Sequence, residues 1–209
     1  MAGCWTDLFQ GILMFFAITI VPIMGIKSVG GYGTLVERIK AINPEMLNLF
    51  TTLDGKSISI MVVISSLAWG LGYCGQPHIL VRFMAIKSPE QIKPATRIAM
   101  VWVVISLVAA VLVGVVGSAY MPNALEGSAT ETIFMQMVNS LFHPLVAGLL
   151  LAAILAAIMS TADSQLLVTT SALAEDFYKV LFRREASDQE LVWVGRLSVV
   201  LVSIVAFII

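Results

Sequence analysis

The chain has 209 residues, of which 59% are apolar and only 12% charged, and its mean hydropathy is +0.96. A water-soluble domain carries about twice that share of charge, so the expected solvent is a lipid bilayer. Twelve Lys and Arg against thirteen Asp and Glu leave a formal net charge of −1, which excludes a polybasic nucleic-acid binder, and two cysteines, Cys4 and Cys74, supply neither a disulfide framework nor a zinc cluster.

A bilayer core about 30 Å thick takes about 20 apolar residues in helical form. Five segments are expected to cross it, 8–26, 57–81, 98–120, 144–178 and 191–209, giving one all-α polytopic membrane helix bundle over residues 1–209. Asp7, just before the first span, reads as an acidic residue at a helix N-terminus, where the helix dipole favours it. The connection 27–56 holds turn material at Gly30-Gly31-Tyr32-Gly33 and has room for a small external helix around 35–42. Pro89 and Pro94 punctuate the next connection, and 121–143 is acidic and free of Lys and Arg. Eight of the twelve cationic residues flank the connections after the second and fourth spans, which places those connections and the N-terminus in the cytoplasm. The start has no basic region or cleavage site of a signal peptide. The chain opens beside one span and stops inside another, from which a piece of a longer protein is expected.

Two segments carry the chemistry. Within the second span lies Ala68-Trp69-Gly70-Leu71-Gly72-Tyr73-Cys74-Gly75-Gln76-Pro77-His78. Each glycine costs a helix about 1 kcal/mol and an interior proline about 3, so a broken helix is expected. Irregular backbone at membrane depth is tolerated where protein or a watered cavity satisfies it; the alternatives are a segment lining a solute site and a tightly packed kink. Trp69 and Tyr73, four residues apart, share a helical face and offer an N–H and an O–H above an apolar surface. His78 reads as a hydrogen-bonded structural residue.

The second segment, in the fourth span, is Ala156-Ala157-Ile158-Met159-Ser160-Thr161-Ala162-Asp163-Ser164-Gln165. At about 100° per residue, Ala157, Ser160, Ser164 and Thr161 fall within an arc of roughly 100°, with Asp163 about 60° to the other side of Ser160. Hydroxyls and backbone carbonyls suit a hard monovalent cation such as sodium. Their bland alternative is bonding back to their own helix. Asp163 is either part of an ion path or already in water at the inner end of a long helix.

Together with Trp5-Thr6-Asp7 and Glu190-Leu191-Val192-Trp193-Val194-Gly195-Arg196, these motifs resemble the solute:sodium symporter family, in particular its bacterial proline-importing members, across essentially all 209 residues. The resemblance implies a LeuT-type fold of two inverted five-helix repeats, of which this chain supplies the fifth to ninth core helices. It also implies sodium-coupled import of L-proline across the bacterial inner membrane, with sodium as coupling ion and no cofactor. Ala157, through its carbonyl, and Ser160 and Thr161, through their hydroxyls, match the main sodium site. Asp7, Asp163 and Ser164, with Ser160, match the extra ligands of members that take a second sodium, and Asp7 matches an aspartate on the inward ion path. Trp69, Tyr73 and Pro77 match positions that shape the proline pocket, where Cys74 departs from an aromatic residue often found there. The first core helix, which completes both sites in the family, is expected among missing helices of a full-length transporter. The rivals are a symporter for another small organic solute and a transporter-like sensor input domain. An enzyme is disfavoured because no catalytic aspartate pair or histidine ligand pair sits at matching depth.

Overall fold

The computed structural model describes residues 2–52, 54–121, 125 and 127–208, with side chains from Trp5 onward. Its helices are α1 (Ala2–Val29), α2 (Tyr32–Ile42), α3 (Ile60–Gly72), α4 (Pro77–Met84), α5 (Ile92–Tyr120), α6 (Ile133–Leu141), α7 (Pro144–Ser171) and α8 (Asp188–Ile208). Short 3-10 turns lie between several of them, and a π-helical stretch, Ala172–Lys179, prolongs α7. The fold is an all-α helix bundle, and the only extended pairing among the described residues is an isolated bridge between Thr51 and Ser57.

Four helical segments are long and apolar enough to cross a membrane: Trp5–Val29, Pro89–Tyr120, Pro144–Lys179 and Asp188–Ile208. They overlay four of the five expected spans. The remaining one, 57–81, is discontinuous: α3 tightens into a 3-10 turn at Tyr73–Gly75, breaks at Gln76, and restarts as α4 with Pro77 in its first turn. Proline is pre-organised for that position because its missing N–H has no helical partner there.

The chain divides into two compact units, Met1–Tyr73 with Ile86–Ala157, and Cys74–Ala85 with Ile158–Ile209. In the first, α1 packs along α5, with α6 against both and α2 across them. Between apolar helices in lipid the hydrophobic effect supplies little, so close van der Waals packing through small residues must hold them. Gly25 and Gly117 show how close: a Cβ on Gly25 would lie 2.6 Å from Val116 Cγ1, and one on Gly117 would run into the Ile133 side chain. Ala17, Val21, Val116, Met137 and Val138 fill the core, and the N-terminal half of α7 adds Ala147, Leu150 and Ala153. The expected turn at Gly30-Gly31 ends α1: both glycines take positive φ, 107° and 98°, and their N–H groups return to the Lys27 and Ile26 carbonyls. The small helix expected near 35–42 is α2, with Leu35 and Ile39 buried.

Two expectations are corrected. The stretch 121–143, read as a plain acidic connection, contains α6, whose Met137 and Val138 are fully buried. Asp7 is not at a helix N-terminus, because α1 begins at Ala2 and Asp7 sits half-buried in its second turn. An apolar run marks the length of lipid to be crossed, and the helix continues past it wherever backbone bonding does.

In the second unit, α8 packs on the π-helical stretch. Ser187 precedes α8 and its hydroxyl accepts from the Glu190 N–H at 3.3 Å. The Glu190 carboxylate accepts from Tyr178 Oη at 2.7 Å and Arg183 Nη1 at 2.8 Å, joining the two helices at their turn. That hydrogen bond to Glu190 pushes the Arg183 guanidinium further above its ordinary value.

Candidate ion and solute site

In the first unit, Trp69 and Tyr73 meet edge to face, ring centroids 5.1 Å apart and planes at 85°. The shared face expected from their spacing exists because α3 stays helical through Gly72 and the Tyr73 N–H still bonds to the Gly70 and Leu71 carbonyls. Both rings are exposed, Trp69 by 72% and Tyr73 by 43%. Among the described residues, no atom lies within 4 Å of where a Cβ would stand on Gly70, Gly72 or Gly75. Ala157 is on the wall of an apolar cavity of about 340 Å³ that also involves α1, α5 and α6.

In the second unit, Ser160, Thr161 and Ser164 of α7 face His78, Ile79 and Arg82 of α4 across a cleft of about 190 Å³. The hydroxyl stripe is thus directed at the helix that Pro77 opens. Ser164 does bond back to its helix, donating to the Ser160 carbonyl at 2.9 Å. It also accepts from Arg82 Nη2 at 2.7 Å. Asp163 is exposed and outside the cleft's lining, Pro77 is exposed at the head of α4, and Cys74 is an exposed free thiol in the 3-10 turn.

Sequence reasoning missed two residues of the cleft's lining. His78, set aside as structural, and Arg82, counted only as a flanking charge, both line the cleft. Their spacing of four on one helix was the available signal. Gln10, one turn beyond Asp7 on α1, has a buried Oε1 with no hydrogen-bond partner among the described residues. Such an oxygen normally finds a partner, and an amide carbonyl is also a hard-cation ligand.

The model of the Sodium:solute symporter family matches residues 1–209. The chain is 53% identical over 209 residues to the high-affinity proline transporter PutP of Bacillus subtilis, covering 100% of this chain and 43% of that protein. It is 50% identical over 202 residues to the osmoregulated proline transporter OpuE of Bacillus subtilis, covering 96% of this chain and 40% of the relative. A sodium/proline symporter of Salmonella typhimurium is 46% identical over 211 residues, with 99% and 41% covered. The chain therefore spans about two fifths of the length of these relatives, and no solved structure matches it. With its four long apolar helices it is an integral membrane protein, and it belongs to the sodium:solute symporter family.

Proposed function

We propose that the polypeptide carrying this chain imports L-proline together with sodium across a bacterial plasma membrane. The observation that carries the reading is the cleft in which the α7 hydroxyls face α4, in a chain about half identical to proline transporters over its whole length. In this reading the Ala157 carbonyl and the Ser160 and Thr161 hydroxyls hold the ion. Asp7, Asp163 and Ser164 lie along its path. Trp69, Tyr73 and Pro77 shape the solute pocket, and helices outside this chain complete both sites in a LeuT-type arrangement. Bound sodium favours the conformation that binds solute, and a coupling of about 1–3 kcal/mol raises solute affinity roughly 5- to 150-fold. The membrane potential adds about 2.3 kcal/mol per charge per 100 mV to inward movement.

A second reading, a related small organic solute, is favoured by Cys74, an exposed thiol in the turn where the resembling proline importers often carry an aromatic ring. The test is uptake by cells expressing the whole coding region, with labelled proline and a panel of other amino acids and organic solutes, in sodium and in potassium. Proline uptake that needs sodium supports the first reading, and preference for another solute supports the second. Uptake indifferent to sodium refutes both.

A further inference from the structure

Beyond Ser171 the backbone ladder of α7 widens into π-helical form over Ala172–Lys179. Nothing local asks for it: the stretch has no glycine or proline, and Ala172, Leu173, Ala174 and Glu175 are good α-helix formers. A π-helix is rare and mostly marks a functional position, so contacts from outside the stretch must hold it there. Ala174 is buried, and α8 packs along the stretch. Tyr178 Oη donates to Glu190 Oε1 at 2.7 Å, and Arg183 Nη1 donates to the same oxygen at 2.8 Å. The wide register continues into the turn, where the Tyr178 carbonyl accepts from the Arg183 N–H, five residues on, at 3.1 Å and from the Phe182 N–H at 2.9 Å. One carboxylate oxygen thus gathers both side chains. The Arg183 side chain is 66% exposed, and a clasp that water reaches is weak enough to open.

A π-helical turn is an α-helix with one residue to spare. Returning the stretch to α-helix passes that residue into the turn, and everything before it rotates by about 100° and moves by about 1.5 Å relative to α8. Ser160 and Thr161, which face α4 across the cleft, lie on the part that rotates. We infer that Ala172–Lys179 is a two-register element clasped in its π form by Tyr178 and Glu190, and that leaving this register swings the Ser160–Thr161 face off α4 and lowers its hold on sodium. The inference rests on the transport reading above and adds to it how the ion is let go. Tyr178 and Glu190 touch neither ion nor solute; they are positioning residues. Bound ion and closed clasp favour the same register, so each strengthens the other.

The experiment uses the transporter expressed from its whole coding region and reconstituted in proteoliposomes, with two readouts. Spin labels on Leu167→Cys and Leu181→Cys, exposed positions on either side of the stretch, read the register as a distance. The unaltered protein is expected to show one distance in saturating sodium and a second in potassium, and Tyr178→Phe to show the second in part even in sodium. A single distance, indifferent to sodium and to Tyr178→Phe, overturns the inference. In proline uptake, a Tyr178→Phe variant with the π register about a tenth populated needs about tenfold more sodium for half-saturation. Glu190→Gln, which keeps an acceptor for Tyr178 and loses the charge that draws Arg183, falls between it and the parent. Sodium curves of both variants that superimpose on the parent's overturn the inference. Deleting the exposed Asp176 removes the spare residue and locks the stretch as α-helix with both ends in place. Sodium-stimulated proline binding is then expected to survive and uptake to be lost, whereas uptake at the parent's rate overturns the inference. If the deletion does not fold, Tyr178→Phe, which keeps the ring and its packing, decides. No sodium-dependent uptake by the unaltered protein defeats the transport reading alone, and the label distances then decide the register.

Discussion

Gly114 and Gly117 lie one turn apart on α5, and the structure makes opposite demands on them. A Cβ on Gly114 meets nothing within 4 Å, while one on Gly117 collides with the Ile133 side chain and lies 3.2 Å from Met137 Sδ. Replacing either by alanine gains the same helix propensity, about 1 kcal/mol, so that contribution cancels when the two variants are compared. What remains is the overpacking at Gly117. Met137 is fully buried and Ile133 is β-branched, so neither can swing aside freely, and α6 must move off α5. Forcing a methyl group into such a contact costs about 1–3 kcal/mol. A difference of 1 kcal/mol moves the thermal midpoint of a 150–250-residue domain by about 2–4 °C, and that of a transporter as long as the relatives, more than twice this chain, by roughly half as much. Thermal unfolding of the purified transporter in detergent should therefore rank Gly114→Ala above the parent and Gly117→Ala below Gly114→Ala by several degrees. Equal midpoints for the two variants would refute the tight α5–α6 approach and with it the account of the core.

Three other outcomes follow from the geometry. Trp69→Ala and Tyr73→Ala, made singly and together, should show a coupling of about 0.5–1.5 kcal/mol in a double-mutant cycle of thermal stability, the worth of an edge-to-face pair; strict additivity would mean the rings do not meet. Gly70→Ala and Gly72→Ala should each raise stability by about 1 kcal/mol, because a methyl group there meets open space, and should lower solute uptake where that space admits the solute. Glu190→Gln removes the shared acceptor of Tyr178 and Arg183, so amide hydrogen exchange across the turn between α7 and α8 should quicken; unchanged protection would show that this turn is held by something else.

The spans were legible because lipid imposes a length and forbids charge, two properties written directly in composition. The break between α3 and α4 was legible because Pro77 has no N–H to donate and the glycines before it lower helix propensity, although α3 itself runs on through Gly70 and Gly72. The helix α6 was not, because at nine residues it is too short to register as a span, although Ile133, Phe134, Met137, Val138 and Leu141 repeat at helical spacing. Its burial depends on α1 and α5, which lie far away in sequence. The hydroxyl stripe could be read from angles on one helix, but its partner could not, since nothing in residues 156–165 says which helix it faces. Arg82 was read correctly as a charge and incompletely as a neighbour. A side chain that reaches across to Ser164 looks, in sequence, like any other cation beside a span.

The central claim is that hydroxyl oxygens on α7 hold the ion that drives uptake. Its most direct measurement is the sodium dependence of proline uptake by the whole transporter, compared with Ser160→Ala and Thr161→Ala. Loss of one oxygen that contacts a charge costs about 1.5–3 kcal/mol, so the sodium concentration for half-maximal uptake should rise roughly 10- to 150-fold in each variant. Sodium curves that superimpose on the parent's in both variants, with uptake intact, would contradict the account.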